Sequence, residues 1–497
     1  MTQPPGQERE VWFSRSVAAL FVLALGLVLT LAVVWTTHGF AVFNYTEGVV
    51  LGSLAGFESS GLVGLYPSNW ASPPLVLTLY PPVFFWATAG LDSILNAGDP
   101  LVAPRLVSLA ATVGLAWSLL RIRRLHETDW TWFLILAGAA SLAPGVQRQI
   151  AAAQVDMLAV AWTAAGALFA LRADKLRTSV WPAFACFAIA IFTKQSFVAA
   201  PAALLLHRYT SGRRKESLVE AAALAGVVIG GFLLLDQWTA GGFSSHTLAA
   251  VTDSGSLINF VRVIGDSSPI VWGAMTLLVL LGVRDHLHLA FPEFWAVLAG
   301  VVHAAAMLKT GSSVNYFLEP LAALLVLGVV RSSSAPWSAR RRLRERQIGL
   351  GLLVVLAAGS MVRTAEVLRD ISVASQAVPI RMASFENGFP LVEVHFFPAI
   401  LKHGGRPYVS DPFAFGALAE SGVWDPSPLA GDLAARRVPF AITTIDIGPA
   451  LDEAATTENM LFAYFWRMTA VRNGLHAEYT EVTDGHLRLW VPRENEN

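Results

Sequence analysis

The chain has one cysteine, Cys186, in 497 residues. A lone thiol cannot close an internal disulfide, and there is no CxxC pair to hold zinc. Cys186 sits in an apolar run as a small buried residue. Charge is also scarce. Asp, Glu, Lys and Arg together make up 14% of the chain, against about 25% in an ordinary soluble domain. The net charge is -1, and no basic stripe interleaves with aromatics, so no nucleic-acid partner is expected. No repeat with a period of about 20–50 residues and no low-complexity tail is visible in the sequence. No small-residue cleavage pattern follows the apolar run from Val17 to Val34. That run is therefore expected to be a retained first transmembrane helix with its N-terminus in the cytoplasm, not a signal peptide.

Apolar residues are abundant. They make up 54% of the chain, and the mean hydropathy is +0.53. Further apolar segments lie near 80–95, 103–120, 130–144, 155–171, 180–193, 197–206, 218–235, 269–283, 290–308, 314–330 and 347–362. A polytopic α-helical membrane protein is expected, with about 11–13 transmembrane or re-entrant helices. After about Arg363 charges become regularly spaced and no run is long enough to span. "RPYVSD" and "VPFAITTIDI" read as strands and "AFGALAESG" as a helix. The expected division is a membrane domain over 1–363, with a first external loop at 38–79, and a small C-terminal extracytoplasmic α/β domain over 364–497.

Basic residues set the expected orientation. "RIRR" (121–124), "RADKLR" (172–177), "HRYTSGRRK" (207–215) and "RSSSAPWSARRRLRER" (331–346) belong on the cytoplasmic side. Residues 38–79 contain no Lys or Arg, and 236–268 contain only Arg262, so both belong outside. The C-terminal domain follows an outward crossing. One parity fails: if 80–95 and 103–120 both cross, "RIRR" lands outside. Segment 80–95 begins with Pro81 and Pro82 and is expected not to cross completely.

"FAIAIFTKQSFVAAPAALLLHRY" (187–209) places Lys194 between two apolar runs. The segment 180–208 starts and ends at cytoplasmic clusters, so it goes in and comes back. Arms of about 10–14 residues span roughly 15–20 Å, short of the roughly 30 Å hydrocarbon core. They are expected to meet at "TKQS" as a re-entrant hairpin. Lys194 then either snorkels to the outer interface or, as is favoured, projects into a wet cavity where an ammonium holds an anion.

Other polar residues are expected on the same side. Thr46 reads as the cap of a short helix, with Glu47 in its first turn, lying flat on the membrane. Glu47 either complements the helix dipole or presents a carboxylate to the cavity. Glu58, in a Gly/Ser-rich turn, reads as solvated. In "LYPPVFFW" the prolines suit a helix entry. Arg105 in "APRLVSLAA" is a phosphate ligand or an interfacial anchor. Asp156 in "QRQIAAAQVDMLAVAW" falls at an outer helix start, as a favourable N-terminal acid or a second cavity carboxylate. "LKTGSSVNYFLEPLAAL" puts Lys309, Asn315, Tyr316 and Glu319 at another outer helix start, with Asn315 and Glu319 four apart on one face. Two or three carboxylates and two or three cations facing an outside cavity suit a lipid-linked phosphosugar. The cations would hold the leaving phosphate and a carboxylate would take the acceptor proton.

The order "YTEG", "YPP", "APRLVSLAA", "QVDMLAVAW", "FTKQSFVAAPAALL" and "GSSVNYFLE" resembles the GT-C class of polytopic membrane glycosyltransferases over roughly residues 15–330. That class includes the bacterial aminoarabinose transferases and protein O-mannosyltransferase relatives. The resemblance implies that Glu47 is the catalytic acidic residue of the first external loop and that Asp156 is the acid of the second. It also implies that Tyr80, Pro81 and Pro82 stand at a His/Lys-Pro-Pro motif, Arg105 to Ser108 at an Arg-Leu-Pro-Ser-like motif, and Lys194 at the hairpin lysine. Two departures are visible. Thr46 precedes a single acid where adjacent acids are frequent, and Tyr80 replaces the basic residue.

The expected activity is transfer of a sugar, with inversion, from a polyprenyl-phosphate-linked donor to an acceptor hydroxyl on a glycan, lipid or protein. The expected place is the outer face of the bacterial cytoplasmic membrane. Glu47 and Asp156 are the catalytic candidates. Lys194, Arg105, Tyr80, Asn315, Tyr316 and Glu319 are the substrate-binding candidates. No metal ligand is assigned, and a divalent cation is left open as cofactor. The alternatives are a transporter or flippase of lipid-linked sugar, which also uses broken helices, and a non-catalytic binder.

Overall fold

The structure is a computed structural model. It describes residues 45–141, 149–150, 152–249, 257–266, 290–309, 312–332, 388–393, 396–443, 465–466, 468–484 and 487–493, with the single positions 19 and 26. The expected first transmembrane helix at 17–34 (but for positions 19 and 26), the segments 269–283 and 347–362, and most of the basic stretch 331–346 lie outside the described residues. The chain divides into two compact units. The described residues of the first fall in Arg105–Gly230 and Asp253–Ser372, apart from Ala19 and Gly26 in Met1–Thr37. Those of the second fall in His38–Pro104, Gly231–Thr252 and Val373–Asn497. Helix is the dominant element, with a small sheet in the C-terminal region.

The described helices run in chain order as α1 (Tyr45–Ser60), α2 (Leu62–Leu65), α3 (Val83–Leu95), α4 (Val102–His126), α5 (Trp130–Ser141), α6 (Val155–Leu176), α7 (Trp181–Thr193), α8 (Ala199–Thr210), α9 (Arg214–Trp238), α10 (Gly242–Ala249), α11 (Leu257–Asp266), α12 (Phe291–Met307), α13 (Leu318–Ser332), α14 (Phe397–Lys402), α15 (Pro412–Glu420), α16 (Ser427–Ala434) and α17 (Thr469–Glu478). Four stretches among them are long and apolar enough to cross a membrane: Val102–His126, Val155–Leu176, Arg214–Trp238 and Val314–Ser332. Only 11% of the apolar window of α9 is buried within the protein. Leu218, Val219, Val227, Ile229, Leu233 and Leu234 stand exposed along it, an apolar face suited to lipid.

In the first unit α6 and α7 pack along each other, α8 packs on α12, and α13 lies against α5, α6 and α12. The core is built mainly of Ala, Leu, Val and Phe, which lets the helices approach closely. At Gly166 of α6 a Cβ would meet the Phe187 ring at 2.4 Å, so only glycine fits at that crossing. Contacts gather the basic loops at one end. Lys175 donates to the Leu125 carbonyl, Arg213 pairs with Asp174, and Thr128 donates to the Val329 carbonyl at 2.6 Å. The ends of α4, α6 and α13 thus share a side with the loop after α8.

In the second unit the loop after α2 joins the C-terminal region. Leu75 N–H donates to Tyr408 O at 2.7 Å, Ser410 N–H to Leu75 O at 2.9 Å, and Leu77 N–H to Ser410 Oγ at 2.8 Å. α1 packs Val49 against Val392, Phe396, Phe397 and Ile400. Tyr45 Oη donates to Asp411 at 2.7 Å and accepts from Phe413 N–H at 2.6 Å. The sheet has the order β1-β2-β4-β3, with β1 (Leu391–Val392), β2 (Ala441–Thr443), β3 (Tyr479–Asp484) and β4 (Leu487–Pro492). β1 and β2 are parallel and the other pairs antiparallel.

Several expectations change here. α1 is not a flat interfacial helix. Residues 47–56 are buried on every side, because the C-terminal region covers what would otherwise face solvent. Thr46 is not its cap, since Tyr45 is already helical. "RPYVSD" forms a single parallel bridge, Val409 to Leu75, in place of a strand. The strand in "VPFAITTIDI" is Ala441–Thr443, with 444–447 outside the described residues. "AFGALAESG" lies in α15. α3 has 13 residues, about 20 Å of helix, and packs on α1.

Candidate functional site

The arms of the lysine hairpin are α7, with 13 residues, and α8, with 12. Pro182 opens α7, where a missing N–H costs little. At the tip, residues 194–198 leave the helix. Lys194 takes an extended conformation at the C-terminus of α7, with φ -150° and ψ 115°. Its side chain is buried, and Nζ lies 2.5 Å from Asp156 Oδ1. Asp156 is fully buried in the first turn of α6, where the helix dipole favours a negative charge. Asn315 Nδ2 donates to its other oxygen at 3.3 Å. Lys194 Nζ also stands over the Tyr316 ring, 4.6 Å from the centroid, within the range of a cation–π contact. Asn315 and Tyr316 lie in a single 3-10 turn, Val314–Phe317. Ser196, two residues beyond the lysine, has a buried hydroxyl without a hydrogen-bond partner among the described residues.

The structure therefore brings Asp156, Lys194, Asn315 and Tyr316 together at the end opposite the basic loops. Arg105 lies in the first turn of α4 and is 1% exposed, so it is not an interfacial anchor. Nearby on that helix, Ser108 Oγ donates to the Gln154 carbonyl at 3.3 Å, which ties the start of α4 to the start of α6. Glu47 and Tyr80 belong to the second unit. Glu47 is fully buried in the first turn of α1. The Tyr80 carbonyl accepts from Tyr66 Oη at 2.6 Å.

Glu319 is fully buried in the first turn of α13. Its Oε1 accepts from Ala200 N–H at 3.2 Å and from Trp295 Nε1 at 3.0 Å, and its Oε2 meets His303 Nε2 at 2.7 Å. A carboxylate at the junction of α8, α12 and α13 holds three elements together there. Sequence reasoning missed this hub because its partners come from distant segments. It also missed His246 in the second unit. His246 Nδ1 accepts from Thr78 N–H at 3.1 Å, and Nε2–H donates to the Pro67 carbonyl at 2.9 Å. Burial of the ring lowers its pKa to about 4, so the imidazole is a neutral clamp between two loops.

Among the described residues no group of three or more His, Cys, Asp or Glu side chains is arranged to hold a metal ion. At Asp156 one oxygen meets an ammonium and the other an amide, a donor set that does not fit a divalent cation.

The fold is similar to that of solved polytopic membrane glycosyltransferases of the GT-C class. The chain aligns with ArnT, the aminoarabinose transferase, of Cupriavidus metallidurans bound to undecaprenyl phosphate, with a TM-score of 0.58, 15% identity, and 95% of this chain and 98% of that one covered. It also aligns with the apo oligosaccharyltransferase of Archaeoglobus fulgidus, with a TM-score of 0.51, 12% identity, and 97% and 75% covered. At these identities the likeness is one of fold. No family model matches the chain, and no curated protein matches it.

Proposed function

We propose that the protein transfers a sugar from a polyprenyl-phosphate-linked donor to an acceptor hydroxyl at the outer face of a bacterial cytoplasmic membrane. The observation that carries this reading is the buried Lys194–Asp156 pair at the tip of a two-armed hairpin in a fold shared with a protein that binds undecaprenyl phosphate. A lysine is a point charge with three donors on a flexible stem. It can pass from Asp156 to an arriving phosphate more readily than a locked guanidinium can. The Ser196 hydroxyl beside it supplies a donor with no partner among the described residues. Arg105 is a second cation for the phosphate.

In the reaction, the acceptor hydroxyl oxygen attacks the anomeric carbon while a carboxylate, Glu47, takes its proton. The bond from that carbon to the phosphate oxygen breaks, the phosphate leaves with the bonding electrons, and the configuration inverts. Asp156 positions the Lys194 ammonium until the phosphate arrives. Charge develops on the departing phosphate, which is where fixed cations lower the barrier. Asn315 and Tyr316 shape the donor site, acting through Asp156 and Lys194. Acceptor identity is left to the chemistry of the second unit.

The test is transfer of radiolabelled sugar by purified protein in detergent. Wild type is expected to turn over. Glu47→Gln is expected to lose at least about 100-fold in rate while keeping donor affinity, the scale of a lost general base. Unchanged transfer by Glu47→Gln removes the base assignment. Donor binding without any transfer by wild type overturns the enzyme reading in favour of a carrier.

A further inference from the structure

A second polar feature lies wholly within the second unit. A cavity of about 330 Å³ is lined by Glu58, Thr88, Asp92, Asp99, Lys402 and Arg406, with Leu51, Leu54 and Leu401 as an apolar wall. Its volume is at the low end of the roughly 300–1,000 Å³ of small-molecule sites. Gly98 and Gly404 border it with φ of 65° and 76°, and a Cβ on either would meet nothing within 4 Å. These turns take the left-handed conformation that glycine allows and leave the opening clear.

Thr88 singles the cavity out. Three other helix threonines satisfy their hydroxyls by donating four residues back: Thr112 to Ser108 O at 3.0 Å, Thr163 to Ala159 O at 2.8 Å, and Thr193 to Ile189 O at 2.8 Å. Thr88 lies inside α3 and is 2% exposed, yet its hydroxyl has no hydrogen-bond partner among the described residues. A buried hydroxyl left unsatisfied costs about 1–3 kcal/mol, and this one lines the cavity. The Glu58 carboxylate is unsettled too. Burial raises the pKa of Glu58, Asp92 raises it further, and Arg406 only partly opposes the shift.

The lining selects against most ligands. Three carboxylates repel a phosphate. Lys402 and Arg406 disfavour a simple cation, and the acids form no metal-ligand group. A saccharide matches. Each sugar hydroxyl both donates and accepts, which answers carboxylates, cations and a threonine hydroxyl together, and a ring's C–H face suits the leucine wall. We propose that this cavity is a saccharide subsite, which binds the glycan part of the acceptor. Its role as an acceptor site rests on the transferase reading; its binding of saccharide does not.

The test is saturation-transfer NMR on the full-length protein in detergent, with mannobiose, galactobiose and maltotriose as probes and inorganic phosphate as competitor. At least one saccharide is expected to bind saturably, unaffected by phosphate. Asp92→Asn and Arg406→Gln are expected to weaken it about tenfold or more. Thr88→Val, which removes only the hydroxyl, is expected to weaken it about threefold to tenfold, with the thermal midpoint of each variant unchanged. Saccharide binding by a protein that transfers nothing keeps the subsite and refutes the transferase. Transfer with no saccharide binding, binding equal in all three variants, or displacement by phosphate overturns the subsite.

Discussion

Both ends of the first unit bury charge, but in different ways. At the basic end Arg208 is locked. Its Nε and Nη2 bond the two Glu220 oxygens, each at 2.7 Å, and Nη2 also bonds Glu216 at 2.8 Å. The partners are 8 and 12 residues away, so the knot closes locally as α8 turns into α9. At the other end Lys194 meets Asp156 from 38 residues away, and Asn315 reaches Asp156 from 159 away. A planar fork filled on two sides has little left to offer. An ammonium with a single carboxylate at a hairpin tip, beside a serine whose hydroxyl has no partner among the described residues, can change partner. The first arrangement secures a helix turn, and the second is the one that suits a site.

That contrast can be broken or sharpened by substitution. The largest effect is expected at the locked knot. Arg208→Leu leaves the buried Glu220 carboxylate without its cation, while Glu216 is exposed, and should cost about 3–5 kcal/mol, read as a lowered thermal midpoint in detergent, with the transfer rate per folded molecule unchanged. A large rate loss there with normal stability would erase the contrast.

Next comes the His246 clamp, a buried neutral base in the second unit. Its folded pKa of about 4 lies below the ordinary histidine value of 6.5. The clamp therefore stabilises fully above pH 6.5 and loses its contribution as pH falls toward 4. The shift corresponds to about 3 kcal/mol at 1.36 kcal/mol per unit. The gap in thermal midpoint between wild type and His246→Gln should shrink across that window. A gap that stays constant would mean the ring is not held neutral.

A smaller loss is expected at Glu319. Glu319→Gln gives its neighbours one amide oxygen for three donors and should cost about 1–3 kcal/mol. Near-normal donor affinity in that variant would keep Glu319 as a helix junction; lost affinity with unchanged stability would return it to the binding site. The smallest effect is expected at Arg213, which is 45% exposed in its pair with Asp174. Arg213→Ala should shift stability by less than about 1 kcal/mol.

Much of the first unit was legible in the sequence. Two basic clusters flanking two half-length apolar arms leave a lysine no place but a hairpin tip, and the arms Trp181–Thr193 and Ala199–Thr210 fall there. The orphan parity of "RIRR" also finds its place, since α4 ends beside the end of α6. What was not legible depends on long-range pairing. α1 has the composition of a membrane-surface helix until residues 397–410, more than 300 positions away, cover it. At Gly52 a Cβ would lie 2.8 Å from Ser410 Cβ, a constraint no local pattern announces. Glu319 carried the signal of an acid in an apolar run, but only its partners show that the run closes on it. Thr88 and Asp92 carried no signal at all, because a cavity is a property of the assembled loops.

The most direct test of the central claim is the double variant Asp156→Leu, Lys194→Met, assayed for stability and sugar transfer in one preparation. Replacing a buried pair with apolar side chains of similar size is often neutral or stabilising, so the fold should keep its thermal midpoint. Normal stability is expected, with transfer reduced at least about 100-fold. Wild-type transfer by this variant would contradict it, since the pair would then be packing and nothing more.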